Sequence, residues 1–292
     1  MPVWHAIETQ LQDVLGKPVQ LSAPQAVGGG SINQSCRVSS GQQSWFVKLN
    51  RAERLNMFVA EAEGLKALGE AGALRIPQPL CWGQDGQQAW LVMDYLELGG
   101  SGDVVALAEG LASVHRIQST RFGWHRDNTI GSTPQINTQE SDWLNFWREH
   151  RLAFQLQLAA QNGAASRTLK AGEQVLAQLP ALLDGHEPEA SLLHGDLWSG
   201  NYAFTHDGLP TIFDPAVYFG DRETDLAMTE LFGGFSRNFY AAYRDAWPLD
   251  SGYPLRKTLY NLYHVLNHFN LFGGGYLSQA HGMMESLLRE VR

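Results

Sequence analysis

Two aspartates and an asparagine stand at spacings that suit metal-assisted phosphoryl transfer. The run Leu192-Leu193-His194-Gly195-Asp196-Leu197-Trp198-Ser199-Gly200-Asn201 carries Asp196 and, five residues on, Asn201. Thirteen residues further comes Asp214, in Ile212-Phe213-Asp214-Pro215. Transfer of a phosphoryl group from Mg-ATP asks for one carboxylate to orient the attacking hydroxyl. It also asks for an amide oxygen and a second carboxylate to hold Mg2+, a hard cation that prefers oxygen ligands. Asp and Asn also cap turns, but the three positions together favour the metal reading.

Lys48 stands in an otherwise apolar run, Trp45-Phe46-Val47-Lys48-Leu49. A lysine there is either an edge residue or the charge that engages ATP phosphates. Glu61, thirteen residues later, is a candidate ion-pair partner. Glu63 competes, but two helical residues are about 200° apart, so only one of the pair can meet Lys48. Gly28-Gly29-Gly30-Ser31-Ile32-Asn33 could cradle phosphates through its backbone N–H groups. It departs from G-x-G-x-x-G, because Asn33 takes the third glycine position, and it reads equally as a β-turn. Met93, Asp94, Tyr95 and Leu96 end the last strand of this region and are placed to offer backbone groups to adenine. The spacing of Asp196, Asn201 and Asp214 matches that of a kinase catalytic loop and its metal-binding aspartate.

These residues need a scaffold, and the pattern around them supplies one. Trp4, Ile7, Leu11 and Leu15 recur at helical spacing in an amphipathic first helix. Strands are predicted over 19–27, 32–38 and 44–49, then a helix over 53–69 with Leu55, Phe58, Ala62, Leu65 and Leu68 on one stripe. Two more strands, 79–83 and 87–94, flank an Asp85-Gly86 hairpin signal. The glycine-rich segment 98–103 is the natural linker. Beyond it helices dominate, among them 104–115 and 142–160, interrupted once between Ser191 and Pro215 by short apolar runs around an Asp207-Gly208 turn. The expectation is an α+β chain: a small β-rich lobe with one main helix over 1–96, and a larger, mostly helical lobe over 97–292, with a cleft between them.

Composition narrows the function. Of 292 residues, 44% are hydrophobic and 17% charged, against about 25% charged in average proteins, so a disordered chain is excluded. The net charge of −9 and the lack of a basic block argue against a nucleic-acid partner. No apolar run approaches the roughly 20 residues that span a bilayer. Two cysteines make no disulfide framework, and the N-terminus has no basic, apolar leader pattern, so a cytoplasmic protein is expected.

His194-Gly195-Asp196-Leu197-Trp198-Ser199-Gly200-Asn201 closely resembles the HGDLWxGN signature of the fructosamine kinase (ketosamine-3-kinase) family. The likeness extends through Phe213-Asp214-Pro215-Ala216, Asp221-Arg222-Glu223 with Asp225-Leu226-Ala227, and Leu231-Phe232-Gly233-Gly234-Phe235. It includes Phe122 to Pro134, Asp142-Trp143 and a tail block from Tyr263 to His268. The resemblance implies the bilobal fold of protein kinases and aminoglycoside phosphotransferases. It implies Asp196 as catalytic base, Asn201 and Asp214 as Mg2+ ligands, Lys48 with Glu61 on the phosphate side, and Asp225 as a brace of the catalytic loop. Some members carry Cys after the three glycines where this chain has Ser31, so no redox role is implied at that position, and Cys36 reads as strand packing.

The activity implied is transfer of the ATP γ-phosphate to the 3-hydroxyl of a ketosamine, small or protein-bound, with ribulosamines at least as suitable as fructosamines. The alternatives are a kinase of another small hydroxyl compound, aminoglycoside- or choline-like, and a nucleotide-binding regulator without catalysis. Trp198 either stacks on the sugar or supports the loop from the core. His125, Arg126, Asp127 and Asn128 either bind sugar hydroxyls or form a solvated loop. His264 and His268, four apart without the HExxH glutamate, read as helix packing or a site wall. The partner expected is a glycated amine, with the protein a monomer or homodimer.

Overall fold

The computed structural model describes residues 2–28 and 32–291. By its internal contacts the chain divides into one unit of Met1–Asp103 with Tyr202–Pro215 and a second of Val104–Asn201 with Ala216–Arg292. The segment 202–215, expected with the helical lobe, thus groups with the first unit, and the first boundary falls at Asp103. Backbone pairing is the cause: Arg75 N–H donates to the Pro210 carbonyl at 2.9 Å, and Gly99 and Gly100 N–H both donate to the Phe204 carbonyl.

In the first unit, helix α1 (Pro2–Leu15) buries Val3, Ile7 and Leu11 against one face of an antiparallel sheet. Its strands are β1 (Gln25–Ala26), β2 (Gln34–Ser40), β3 (Gln43–Arg51), β4 (Pro79–Asp85) and β5 (Gln88–Asp94), ordered β1-β2-β3-β5-β4. The first strand is two residues rather than the nine expected. Pro24 cannot donate to a ladder, and before β1 the Ser22 N–H donates to the Ser39 carbonyl. Trp45, Val47 and Leu49 of β3 point into the α1 side of the core, so Lys48 points to the opposite face. Helix α2 (Leu55–Gly69) buries Phe58, Ala62, Leu65 and Leu68, as its spacing predicts. The hairpin of β10 (Tyr202–Phe204) and β11 (Pro210–Ile212) completes the unit.

The second unit is mostly helical: α3 (Val104–His115), α4 (Trp143–Trp147), α5 (Phe154–Gln161), α6 (Ser166–Leu182), α7 (Glu223–Thr229), α8 (Arg237–Ala246), α9 (Tyr253–Phe272) and α10 (Tyr276–Glu290). Short strands β6 (Gln118–Ser119), β9 (Ala190–Leu193) and β12 (Tyr218–Gly220) form one small sheet, and β7 (Asn128–Ile130) with β8 (Thr133–Gln135) a hairpin. The single helix expected over 142–160 is interrupted by a π-helical stretch, Arg148–Ala153, that turns the Arg151 side chain into the core. Trp143, Phe146, Trp147, Tyr260 and Tyr263 pack at its centre. Among the described residues, no helix is long and apolar enough to cross a membrane.

Asp142 caps α4, accepting a hydrogen bond from Asn145 N–H at 2.7 Å. Asp142→Ala is expected to lower the unfolding free energy by about 1 kcal/mol in urea titration, with an unchanged m-value.

Candidate active site

Lys48 lies on β3, a strand hydrogen-bonded on both sides, and is only 5% exposed, so it is no edge residue. Its Nζ donates to Glu61 Oε1 at 2.5 Å and to Asp214 Oδ1. Of the two candidates, only one of which the helical angle allows to face Lys48, Glu61 is its α2 partner. Burial works against a charged lysine, yet the two carboxylates hold its pKa above the ordinary value, so it stays cationic. Asp214 is 43% exposed at its side chain and has φ +58°, the only positive φ of a non-glycine among the described residues. A left-handed backbone without glycine costs energy and gathers at functional positions.

The other candidates of the first unit are placed less tellingly. Gly28 has open space around it, while Gly29, Gly30 and Ser31 lie outside the described residues. Met93 is buried. The Asp94 carboxylate accepts from the Arg75 guanidinium and Gln78 N–H. The N–H groups of Asp94 and Tyr95 already donate to the Gln78 and Ser44 carbonyls. Leu96 follows just beyond β5. Burial pushes the Cys36 thiol up to about 11 and the Cys81 thiol up to about 12, which leaves both unreactive.

In the second unit the residues 194–201 follow β9, whose four residues are all buried. Asp225, on α7, accepts from His194 N–H at 2.7 Å and from Gly195 N–H at 2.8 Å. Burial alone would raise its pKa, but the hydrogen bond and charge of His115 (3.2 Å) and the backbone donors hold it below the usual carboxylate range. Gly195 has φ +82°, and a Cβ there would collide with the Ala216 carbonyl. Asp196 follows at once, and Asn201, 6% exposed, donates from Nδ2 to the Asp196 carbonyl at 2.8 Å. That leaves the Asn201 side-chain oxygen as an acceptor.

Trp198 is 38% exposed and lies over Gly200, where a Cβ would strike its ring. Asp127 and Asn128, weighed as sugar ligands, make hydrogen bonds within the second unit. Asp127 accepts from Asn137 N–H at 2.7 Å, and Asn128 donates to the Val217 carbonyl at 2.8 Å. His125 is exposed, its ring 4.9 Å from that of Trp124. The His268 ring packs 4.6 Å from Phe232 and donates from Nδ1 to the His264 carbonyl at 2.8 Å. Sequence reasoning missed His115, which orients Asp225 through one ring nitrogen while the other meets Tyr243 Oη at 2.7 Å. A histidine ending an apolar helix carries no signal of that role.

The fructosamine kinase family model matches residues 3–290. A Synechocystis protein named as a ketoamine kinase is 45% identical over 98% of this chain and 97% of its own length. The chloroplastic protein-ribulosamine 3-kinase of Arabidopsis thaliana is 41% identical over 95% of this chain and 86% of its own. A crystal structure titled as a fructosamine-3-kinase, from Haemophilus somnus, superposes with a TM-score of 0.90 at 29% identity, covering 98% of this chain and 97% of the other.

Because Asp225 is held ionised by folding, its contribution is complete above the ordinary carboxyl pKa of about 3.9 and is lost as pH falls through its lower folded value. Asp225→Asn is expected to cost about 1–3 kcal/mol at pH 7. In urea unfolding at stepped pH, the gap to the unaltered protein should close below about pH 4.

Proposed function

The chain belongs to the fructosamine kinase family, and from that premise we propose that it transfers the γ-phosphoryl group of ATP to the 3-hydroxyl of a ketosamine, on a small molecule or a protein. The phosphorylated sugar is labile and leaves, so the reaction returns a glycated amine to its free form. Ribulosamines are the preferred substrates in this reading, supported by the 41% identity to the Arabidopsis ribulosamine kinase. Buried, unpaired Cys36 and Cys81 suit a reducing, cytoplasmic setting.

The observation that carries the reading is the buried Lys48, held charged by Glu61 and Asp214. A fixed cation on a rigid strand, oriented by a carboxylate, is what phosphate recognition requires. Asp214 and the Asn201 side-chain oxygen are hard oxygen donors that fit Mg2+. The metal, when bound with ATP, neutralises charge that develops on the phosphates. Asp196 takes the proton from the sugar hydroxyl. A secondary alcohol is a weak nucleophile, so holding it in line supplies most of the rate, and an ordinary carboxylate suffices as acceptor. Trp198, beside Asp196, stacks on the sugar ring.

ATP consumption with Mg2+ is the test, comparing ribulosyl-, erythrulosyl- and fructosyl-lysine with unmodified lysine and the free sugars. Turnover confined to the ketosamines is expected; turnover on none of them, with ATP still bound, overturns the substrate assignment. Asp196→Asn should lower kcat by about 10²–10⁴ while ATP affinity stays within a few-fold. Asp214→Asn should instead raise the Mg2+ concentration needed for half-maximal rate, and an unchanged requirement would remove it from the metal site.

A further inference from the structure

Two aromatic residues of the second unit are each followed by a glycine pair that reverses the chain. In Phe232-Gly233-Gly234 and Phe272-Gly273-Gly274 the four glycines have φ of +90°, +72°, +67° and +66°. Each is a conformation that L side chains rarely adopt. The first reversal sets the Phe232 ring 4.6 Å from His268; the second folds α10 back so that Tyr276 lies 5.2 Å from the same imidazole. Phe272 packs on the His268 ring at 5.7 Å, and Phe232 meets Trp198 at 6.5 Å. Ser199 Oγ donates to the Phe232 carbonyl at 3.2 Å, which ties this row to the loop that carries Asp196. The row therefore runs from two residues past Asp196 to Phe272, which at 57% is the most exposed large hydrophobic among the described residues.

The row is uncharged. A carbonyl only accepts, so Nδ1 of His268 carries the hydrogen, and burial holds the imidazole below its ordinary pKa. Such a row suits a chain that is cationic at one point and apolar beyond it, because ring faces attract ammonium groups and cover methylenes. A ketosamine presents that chain. Its nitrogen is separated from the reacting 3-oxygen by three carbons, on the order of 5 Å. In a lysine adduct four methylenes then lead from the ammonium towards the polypeptide.

We propose that Phe272 and Tyr276 form a subsite for the alkylammonium arm that carries the sugar, selecting lysine-borne ketosamines over ketosamines without an arm. The inference rests on the ketosamine reading and adds the part of the substrate beyond the sugar.

The test compares kcat/KM for Nα-acetyl-Nε-ribulosyl-lysine and for 1-amino-1-deoxyribulose, whose nitrogen bears no arm. In Phe272→Ala and Tyr276→Ala the ratio of the two should fall about five- to tenfold, while Phe272→Trp keeps it. An unchanged ratio, or equal losses on both substrates, overturns the subsite. Turnover of neither substrate by the unaltered protein overturns the ketosamine reading, and the subsite with it.

Discussion

A carboxylate with 1% of its surface exposed must be met by donors or it will not stay ionised, and Asp225 imposes that demand on the second unit. Its two oxygens are met by consecutive amides, His194 and Gly195, and by the His115 ring. Two successive N–H groups can aim at one carboxylate only if the strand end turns sharply, which explains the left-handed Gly195 and its contact with Ala216. All seven residues of α7 are buried, so its other acids need the same treatment. Glu223 receives a bidentate pair of hydrogen bonds from Arg256 at 2.7 and 2.9 Å. Asp221, just before the helix, accepts from Tyr260 Oη at 2.6 Å and pairs with His186 at 2.7 Å. The position of Asp196 is thus set less by its own contacts than by the compensation of a neighbouring charge.

Arg151 is the cationic counterpart. It is fully buried, and its charge is met by the faces of Tyr218 at 4.0 Å and Phe146 at 4.6 Å, the Ile136 carbonyl and Asn137 Oδ1. Asn137 in turn donates to Asn128, whose amide holds the Val217 carbonyl, and Gln135 holds Ala216. Ala216 N–H donates to the His194 carbonyl at 2.8 Å. The polar residues of 127–137 therefore act as a brace between the π-helical turn and the loop that begins at His194.

What was legible in the sequence was what local chemistry determines. The period of Phe58, Ala62, Leu65 and Leu68 marked α2, and the 200° between Glu61 and Glu63 reduced the partner of Lys48 to a choice the structure resolves. Asp85-Gly86 marked its hairpin, and Gly86 takes a positive φ of 45°. What stayed hidden depends on distant pairing. Nothing within 202–215 indicates that Arg75 and Gly99 will bind it. The glycines after Phe232 and Phe272 were visible as runs, but their purpose emerges only when both rings meet one histidine. Pro24 was the one readable sign against a long first strand.

The acids divide by how fully they are hydrogen-bonded, and the division follows their roles. Asp225, Asp221 and Glu223 are saturated by donors and sunk in the core, so they hold backbone and neighbouring elements in place. Asp214 receives Lys48 on one oxygen and keeps 43% of its side chain open, on a backbone strained to φ +58°. Strain at a half-exposed acid would relax unless Ile212 and the paired hairpin before it held the chain. The structural carboxylates are thus met by donors inside the fold, while the strained Asp214 keeps part of its side chain open.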